Sequence, residues 1–230
     1  MSKKRHSTRT DYRRRRAKQK LYNQVITIGI IIVAVAAVVW IVVSTLQPKP
    51  ASGPVPPTVI AMQFDSAPPM QIDVDKQYFA TVKMVKGGEF VIQLFPDKAP
   101  ITVNSFVFLA RKGFFNGVTF HRVIDGFMAQ GGDPTGTGMS GPGYQIPDEP
   151  NDLTFDKAGV VAMANTGQPN SGSSQFFITF GPQAYLNGGF TIFGRVISGM
   201  DVVNGLKRRN PQQNPTFVGD AMESVTITEK

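Results

Sequence analysis

Residues 25–46, VITIGIIIVAVAAVVWIVVSTL, run for 22 positions without a charge. As a helix they are roughly 33 Å long, enough to cross the hydrocarbon core of a bilayer. A helix packed in a soluble core shows a polar stripe at every third or fourth position, and this run has none. A cleaved signal peptide usually has an apolar stretch of about 7–15 residues that ends on small residues. Ser44-Thr45-Leu46-Gln47 offers no such site. Residues 21–46 are therefore expected to form an uncleaved transmembrane signal anchor, so any large soluble domain has to lie after them.

Charge gives the orientation. Residues 1–20 hold ten Lys or Arg against one acid, Asp11, so the remaining 14 basic and 15 acidic residues nearly cancel. A basic cluster just before an apolar span stays on the cytoplasmic side. The expectation is a single-pass membrane protein with a cytoplasmic tail (1–20) and an extracytoplasmic domain. The tail's attraction to anionic headgroups is worth about 1 kcal/mol per basic residue near the surface. Since the rest of the chain is near neutral, a polyanion is not expected as its partner, and no nucleic acid is assigned. There is no cysteine, which excludes disulfides, thiolate metal sites and thiol nucleophiles. The two histidines, His6 and His121, are too few for an imidazole metal centre, and no metal or cofactor is expected.

Residues 47–57 carry five prolines in eleven positions and read as a semi-rigid spacer. With the aperiodic stretch that follows, they make a Pro-rich linker and arm over 47–74. From Tyr78 the pattern changes to short alternating runs. Residues 79–85 and 89–95 flank Gly87-Gly88 as a hairpin. Further strands are expected at 117–124, 126–131, 159–164, 175–179, 191–196 and 222–228. A helix is expected over 99–112, with Pro100 in its first turn, Val103, Phe106, Val107 and Ala110 on one face, and Gly113 after its end. A second helix is expected over 200–207. Many short strands with Gly-rich turns predict a mainly β domain, a closed antiparallel barrel.

Residues 120–133, FHRVIDGFMAQGGD, carry the chemistry. Strict alternation puts Val118, Phe120, Arg122 and Ile124 on one face and Thr119, His121 and Val123 on the other. A guanidinium on an apolar face has to be paired or has to line a cavity whose ligand completes it. Phe127 and Met128 add apolar surface, Gln130 an amide that donates and accepts, and Gly131-Gly132 a sharp turn. Taken alone, such an arginine is more often a surface or ion-paired residue than a functional one.

This segment closely resembles the signature of the cyclophilin family of peptidyl-prolyl isomerases. A second block is similar to the family in the same order: Met163-Ala164-Asn165, Ser173-Ser174-Gln175-Phe176-Phe177-Ile178, Leu186-Asn187-Gly188 and Phe193-Gly194-Arg195-Val196. The resemblance spans about residues 75–230 and implies a closed eight-stranded barrel capped by two helices. It also implies peptidyl-prolyl isomerase activity on proline-containing polypeptides, with Arg122 catalytic. Phe127, Met128, Phe177 and Leu186 are the implied pocket for the proline ring. Gln130, Asn165 and Gln175, beside Ala164, are the implied holders of the peptide backbone or of the arginine. Alternation supports Phe177 facing the site and Phe176 the core.

The chain departs from the family pattern at the pocket rim. Tyr185 stands where many members have tryptophan, and Phe190 where many have histidine. The wall stays apolar, but cyclosporin-type ligands, which the tryptophan assists, are expected to bind more weakly. The turn between Asn165 and Gln175 is one residue longer than the family's. The run Gly136-Thr137-Gly138-Met139-Ser140-Gly141 matches a phosphate-loop pattern, but no βαβ unit surrounds it. By resemblance it borders the peptide groove. His121 is expected to be a hydrogen-bonded core residue, not a base. The alternative to an isomerase serving exported proteins is a non-catalytic proline-peptide binding module or holdase, which Phe190 favours and Arg122, Phe127 and Gln130 oppose. A membrane-tethered nucleic-acid binder rests on the tail alone.

Overall fold

A computed structural model of the chain describes residues 62–230, and the expected tail, membrane anchor and spacer lie outside the described residues. None of the described helices is long and apolar enough to cross a membrane. Alternation builds the sheet. In β1 (Tyr78–Met84), Tyr78, Ala80, Val82 and Met84 are buried, as are Phe90, Ile92 and Leu94 in β2 (Glu89–Leu94). The two strands pair antiparallel with Tyr78 opposite Leu94 and Lys83 opposite Glu89.

The other strands are β3 (Arg122–Ile124), β4 (Met128–Gly131), β5 (Val160–Met163), β6 (Phe176–Thr179), β7 (Ile192–Ser198) and β8 (Met222–Glu229). All eight form one antiparallel sheet in the order β3-β4-β6-β5-β7-β2-β1-β8. The expected closed barrel is not formed as a continuous ladder. Among the described residues its ends, β3 and β8, do not pair; the segment before β3 reaches the start of β8 by a bridge between Thr119 and Ala221 and by isolated backbone bonds such as Phe120 N–H to Asp220 O. The reason lies in residues 117–121, which alternation places in the strand over 117–124 but which run irregularly into β3.

That irregularity also breaks the expected face assignment. Val118, Phe120 and Val123 all join the main buried cluster, whereas Ile124 packs on a second one. Two residues, not one, separate Phe120 from Val123, so Arg122 parts from Phe120 and faces the opposite way. β5 and β6 are buried on both faces for the same reason that two clusters exist. Val161, Met163, Phe176 and Ile178 enter the main core, and Val160, Ala162 and Phe177 the second.

Helix α1 (Pro100–Arg111) has proline in its first turn and is followed by Gly113 in the left-handed region. Phe106 packs against Phe115, Phe176 and Phe193 at centroid distances of 5.0–5.6 Å. α1 also buries Thr102, Asn104 and Ser105. These polar residues are satisfied by what covers the helix: Glu149 takes Thr102, Tyr144 takes Ser105, and the arm before β1 takes Asn104. Helix α2 (Met200–Asn204) is shorter than the expected 200–207, because Gly205 caps it.

Candidate active site

Strand register places the site. Arg122 lies opposite Gln130, Gln130 opposite Phe177, and Phe177 opposite Ala162. Directly opposed residues share a face, so these four form one row across β3, β4, β6 and β5. Gln175, two residues before Phe177, falls on the same face.

The polar half of the row is a chain of amides. Arg122 Nη1 is 3.5 Å from Gln130 Oε1 and 3.9 Å from Met128 Sδ. Gln130 Nε2 donates to Gln175 Oε1 at 3.0 Å, and Gln175 Nε2 donates to Ser140 O at 3.0 Å. The guanidinium stacks on Phe127, with Cζ 5.6 Å from the ring centre. Burial pushes its proton affinity below the ordinary arginine value, opposed by the Tyr185 hydroxyl, yet a guanidinium starts high enough to stay charged. Among the described residues no carboxylate pairs with Arg122.

The apolar half is the second cluster. Met128, Phe155 and Phe177 are buried, and Phe127, Ala164, Leu186 and Phe190 pack against them. Phe190 stands edge-on to Phe177 at 5.2 Å, and Phe177 stacks on Phe155 at 5.8 Å. Tyr185 is 73% exposed and leans on Phe127 at 6.1 Å, a rim position. Asn165 is held from both ends of its amide, donating to Gly189 O at 3.1 Å and accepting from Gly167 N–H at 3.1 Å. Every residue expected at the site thus lies in this row, in the apolar cluster or at its rim, apart from Asn165, which sits at the turn beside it. Phe176 is in the main core, as alternation required.

Sequence reasoning missed two supports. Phe155 backs the pocket and carries no motif. Asp133 is fully buried and accepts the amides of Thr135, Met139 and Ser140 at 2.7, 3.0 and 3.3 Å, together with that of Gly138 and the hydroxyls of Thr135 and Thr137. Burial alone raises a carboxyl; here these donors outweigh it and hold Asp133 below the usual carboxylate range. The glycine loop 136–141 is therefore wrapped around the chain's own carboxylate, an arrangement that the run of small and hydroxyl residues after Asp133 could have signalled. Its neighbour Gly132 has φ of +92°, and a Cβ there would lie 2.2 Å from Ser174 O. His121 is buried, as expected of a core residue, and its Nδ1 has no partner among the described residues.

An apolar wall, one cation without a carboxylate partner among the described residues and a row of amides thus lie side by side. The model for cyclophilin type peptidyl-prolyl cis-trans isomerases covers residues 79–229. The chain belongs to this family. It is 48% identical over 134 residues to peptidyl-prolyl cis-trans isomerase-like 1 of Homo sapiens, covering 56% of this chain and 80% of that one. It is equally identical over 134 residues to peptidyl-prolyl cis-trans isomerase ppi1 of Schizosaccharomyces pombe, covering 86% of that chain. The crystal structure of a cyclophilin type isomerase from Cryptosporidium parvum superposes with a TM-score of 0.60 at 29% identity, covering 66% of this chain and 98% of that one. A structure of that protein in the presence of the dipeptide ala-pro gives 0.59 at 30% identity, covering 65% and 98%. Phe155, Tyr185 and Phe190 thus belong to the wall of a cyclophilin-type domain.

Proposed function

We propose that this isomerase rotates X-Pro bonds of exported proteins while held at the outer face of a membrane by residues 21–46, with residues 1–20 in the cytoplasm. Arg122 is the catalytic residue. The uncatalysed barrier is about 18–20 kcal/mol because amide resonance has to be broken. In the twisted state the prolyl nitrogen regains a lone pair, and a fixed N–H aimed at it lowers the barrier. A guanidinium fits this task because it donates without losing its proton. The observation that carries the reading is the position of Arg122, half-buried beside an apolar wall, without a carboxylate partner among the described residues and with only long contacts to Gln130 and Met128 beside the Phe127 ring.

Phe127, Met128, Phe177, Leu186 and Phe190 then seat the proline ring, and Gln130, Gln175, Asn165 and the backbone at Ala164 hold the peptide. No step needs a metal or cofactor. The apolar character of Phe190 preserves the pocket, and the charge asymmetry of residues 1–20 supports the orientation. The test is a proline-limited refolding assay with the full chain in detergent. Acceleration of the slow phase is expected; peptide binding without acceleration would replace the isomerase by a binding module.

A further inference from the structure

The arm that precedes β1 is packed onto the domain, and it meets the site's polar chain at one loop. Three successive carbonyls, those of Ser140, Gly141 and Pro142, are each taken by a donor. Ser140 O receives Gln175 Nε2 at 3.0 Å. Gly141 O receives Gln63 Nε2 at 2.9 Å, and Pro142 O receives the Phe64 N–H at 2.8 Å. Adjacent peptide planes share a Cα and turn only about two soft angles each. Two carbonyls fixed from the arm therefore restrict the third, which orients Gln175.

The arm is itself anchored. The Phe64 ring stands edge-on to Phe108 of α1 at 5.0 Å and to Tyr144 at 6.4 Å. Asn104, 3% exposed, accepts from Gln71 N–H at 2.8 Å and donates to Pro69 O at 3.0 Å. Gly143 lies at φ of +94°, and a Cβ there would come within 2.7 Å of Phe64 O. The loop thus carries glycine where the arm's backbone presses on it. Residues 63–72 precede the span matched by the family model.

We propose that Gln63 and Phe64 are positioning residues of the isomerase: through Gly141 and Pro142 they fix Ser140 O, and through it the amides of Gln175 and Gln130 that bind the peptide. This rests on the reading of the site as a proline-peptide groove. The amides hold substrate in the ground and twisted states alike, so loosening them weakens binding more than it slows the bound reaction.

The experiment compares the full chain with Phe64→Ala, Gln63→Ala and Phe64→Tyr in detergent, using an Ala-Ala-Pro-Phe peptide as probe. The alanine variants are expected to raise KM, and the dissociation constant from peptide titration, by about three- to tenfold with kcat within about twofold of wild type. Phe64→Tyr, which keeps the ring contacts, is expected to restore the wild-type KM. Unchanged KM and dissociation constant in variants that melt earlier would reduce the arm to a structural strap and overturn the proposal. If Phe64→Ala does not fold, Gln63→Ala decides, since its exposed side chain loses only the bond to Gly141 O. If wild type binds the peptide without accelerating its isomerisation, the isomerase reading falls, and the dissociation constants alone judge the arm. If wild type does not bind the peptide, both fall.

Discussion

Arg122 and Gln130 face each other as cross-strand partners in β3 and β4, yet Nη1 and Oε1 stand 3.5 Å apart. A committed N–H···O bond is usually near 2.9 Å, so the register holds the guanidinium in place without using up its donors. The Gln130 amide turns its own Nε2 toward Gln175 instead. The arginine is aimed but unspent.

Replacing Arg122 with alanine is therefore expected to leave the fold intact, because the side chain forms no ion pair among the described residues and lies at the edge of the buried cluster. Isomerisation should slow by about 10²-fold, the loss seen when one preorganised donor is removed. Arg122→Lys should recover little, since an ammonium lacks the planar fork. Peptide isomerisation rates read beside circular dichroism check both, and a folded alanine variant with wild-type activity would remove Arg122 from the mechanism.

What the sequence made legible follows from locality. Phe176 and Phe177 were separable because β6 alternates strictly, and the helix at Pro100 and the hairpin at Gly87-Gly88 carry their own punctuation. Arg122 could be singled out by residue type, but not its true face, because residues 117–121 bridge at Thr119 to Ala221, just before β8, and slip out of alternation before β3. Barrel closure depended on the same slip. Phe155 and the contacts of Phe64 arise between segments far apart in the chain, where no period or motif points. The burial of Thr102, Asn104 and Ser105 in α1 reflects a cover supplied by other segments, which amphipathicity within the helix could not reveal.

Tyr185 sets a second expectation. Its ring is 73% exposed and rests on Phe127, so its replacement changes the rim without emptying the pocket. Tyr185→Trp adds aromatic area and an indole N–H at that rim. Binding of a cyclosporin-type ligand, measured by titration, should tighten by about tenfold or more, the scale of a single aromatic anchor. Peptide isomerisation should stay within about threefold of wild type. Equal ligand affinity in the two proteins would show that the rim residue is not what limits this binding.

His121 predicts a pH dependence of stability. It is 2% exposed, and burial is the largest influence on it, lowering the imidazole's proton affinity. Asp133 opposes that shift, and Arg209 and Arg122 reinforce it. The folded protein therefore holds a neutral ring that the unfolded chain protonates first. Its contribution to stability is complete above the unfolded value of about 6.5 and is lost as pH falls from there toward the folded value. Thermal midpoints between pH 8 and 5 should drop below about pH 6.5 in wild type, and His121→Gln should flatten that part of the curve. A wild-type curve that is level across this window would contradict the assignment.

The final expectation concerns where the domain works. The uncharged run 25–46 follows ten basic residues within the first 20, and an orientation set by that step leaves residues 47–230 outside the cytoplasm. Full-length protein should sediment with membranes and resist extraction by high salt, because a span of 22 uncharged, mostly apolar residues would be held by hydrocarbon and not by charge. Protease added to intact cells should digest the domain and spare the tail. Protection of the domain would reverse the orientation, and a mature chain beginning near residue 47 would replace the anchor by a cleaved leader, leaving the isomerase free of the membrane.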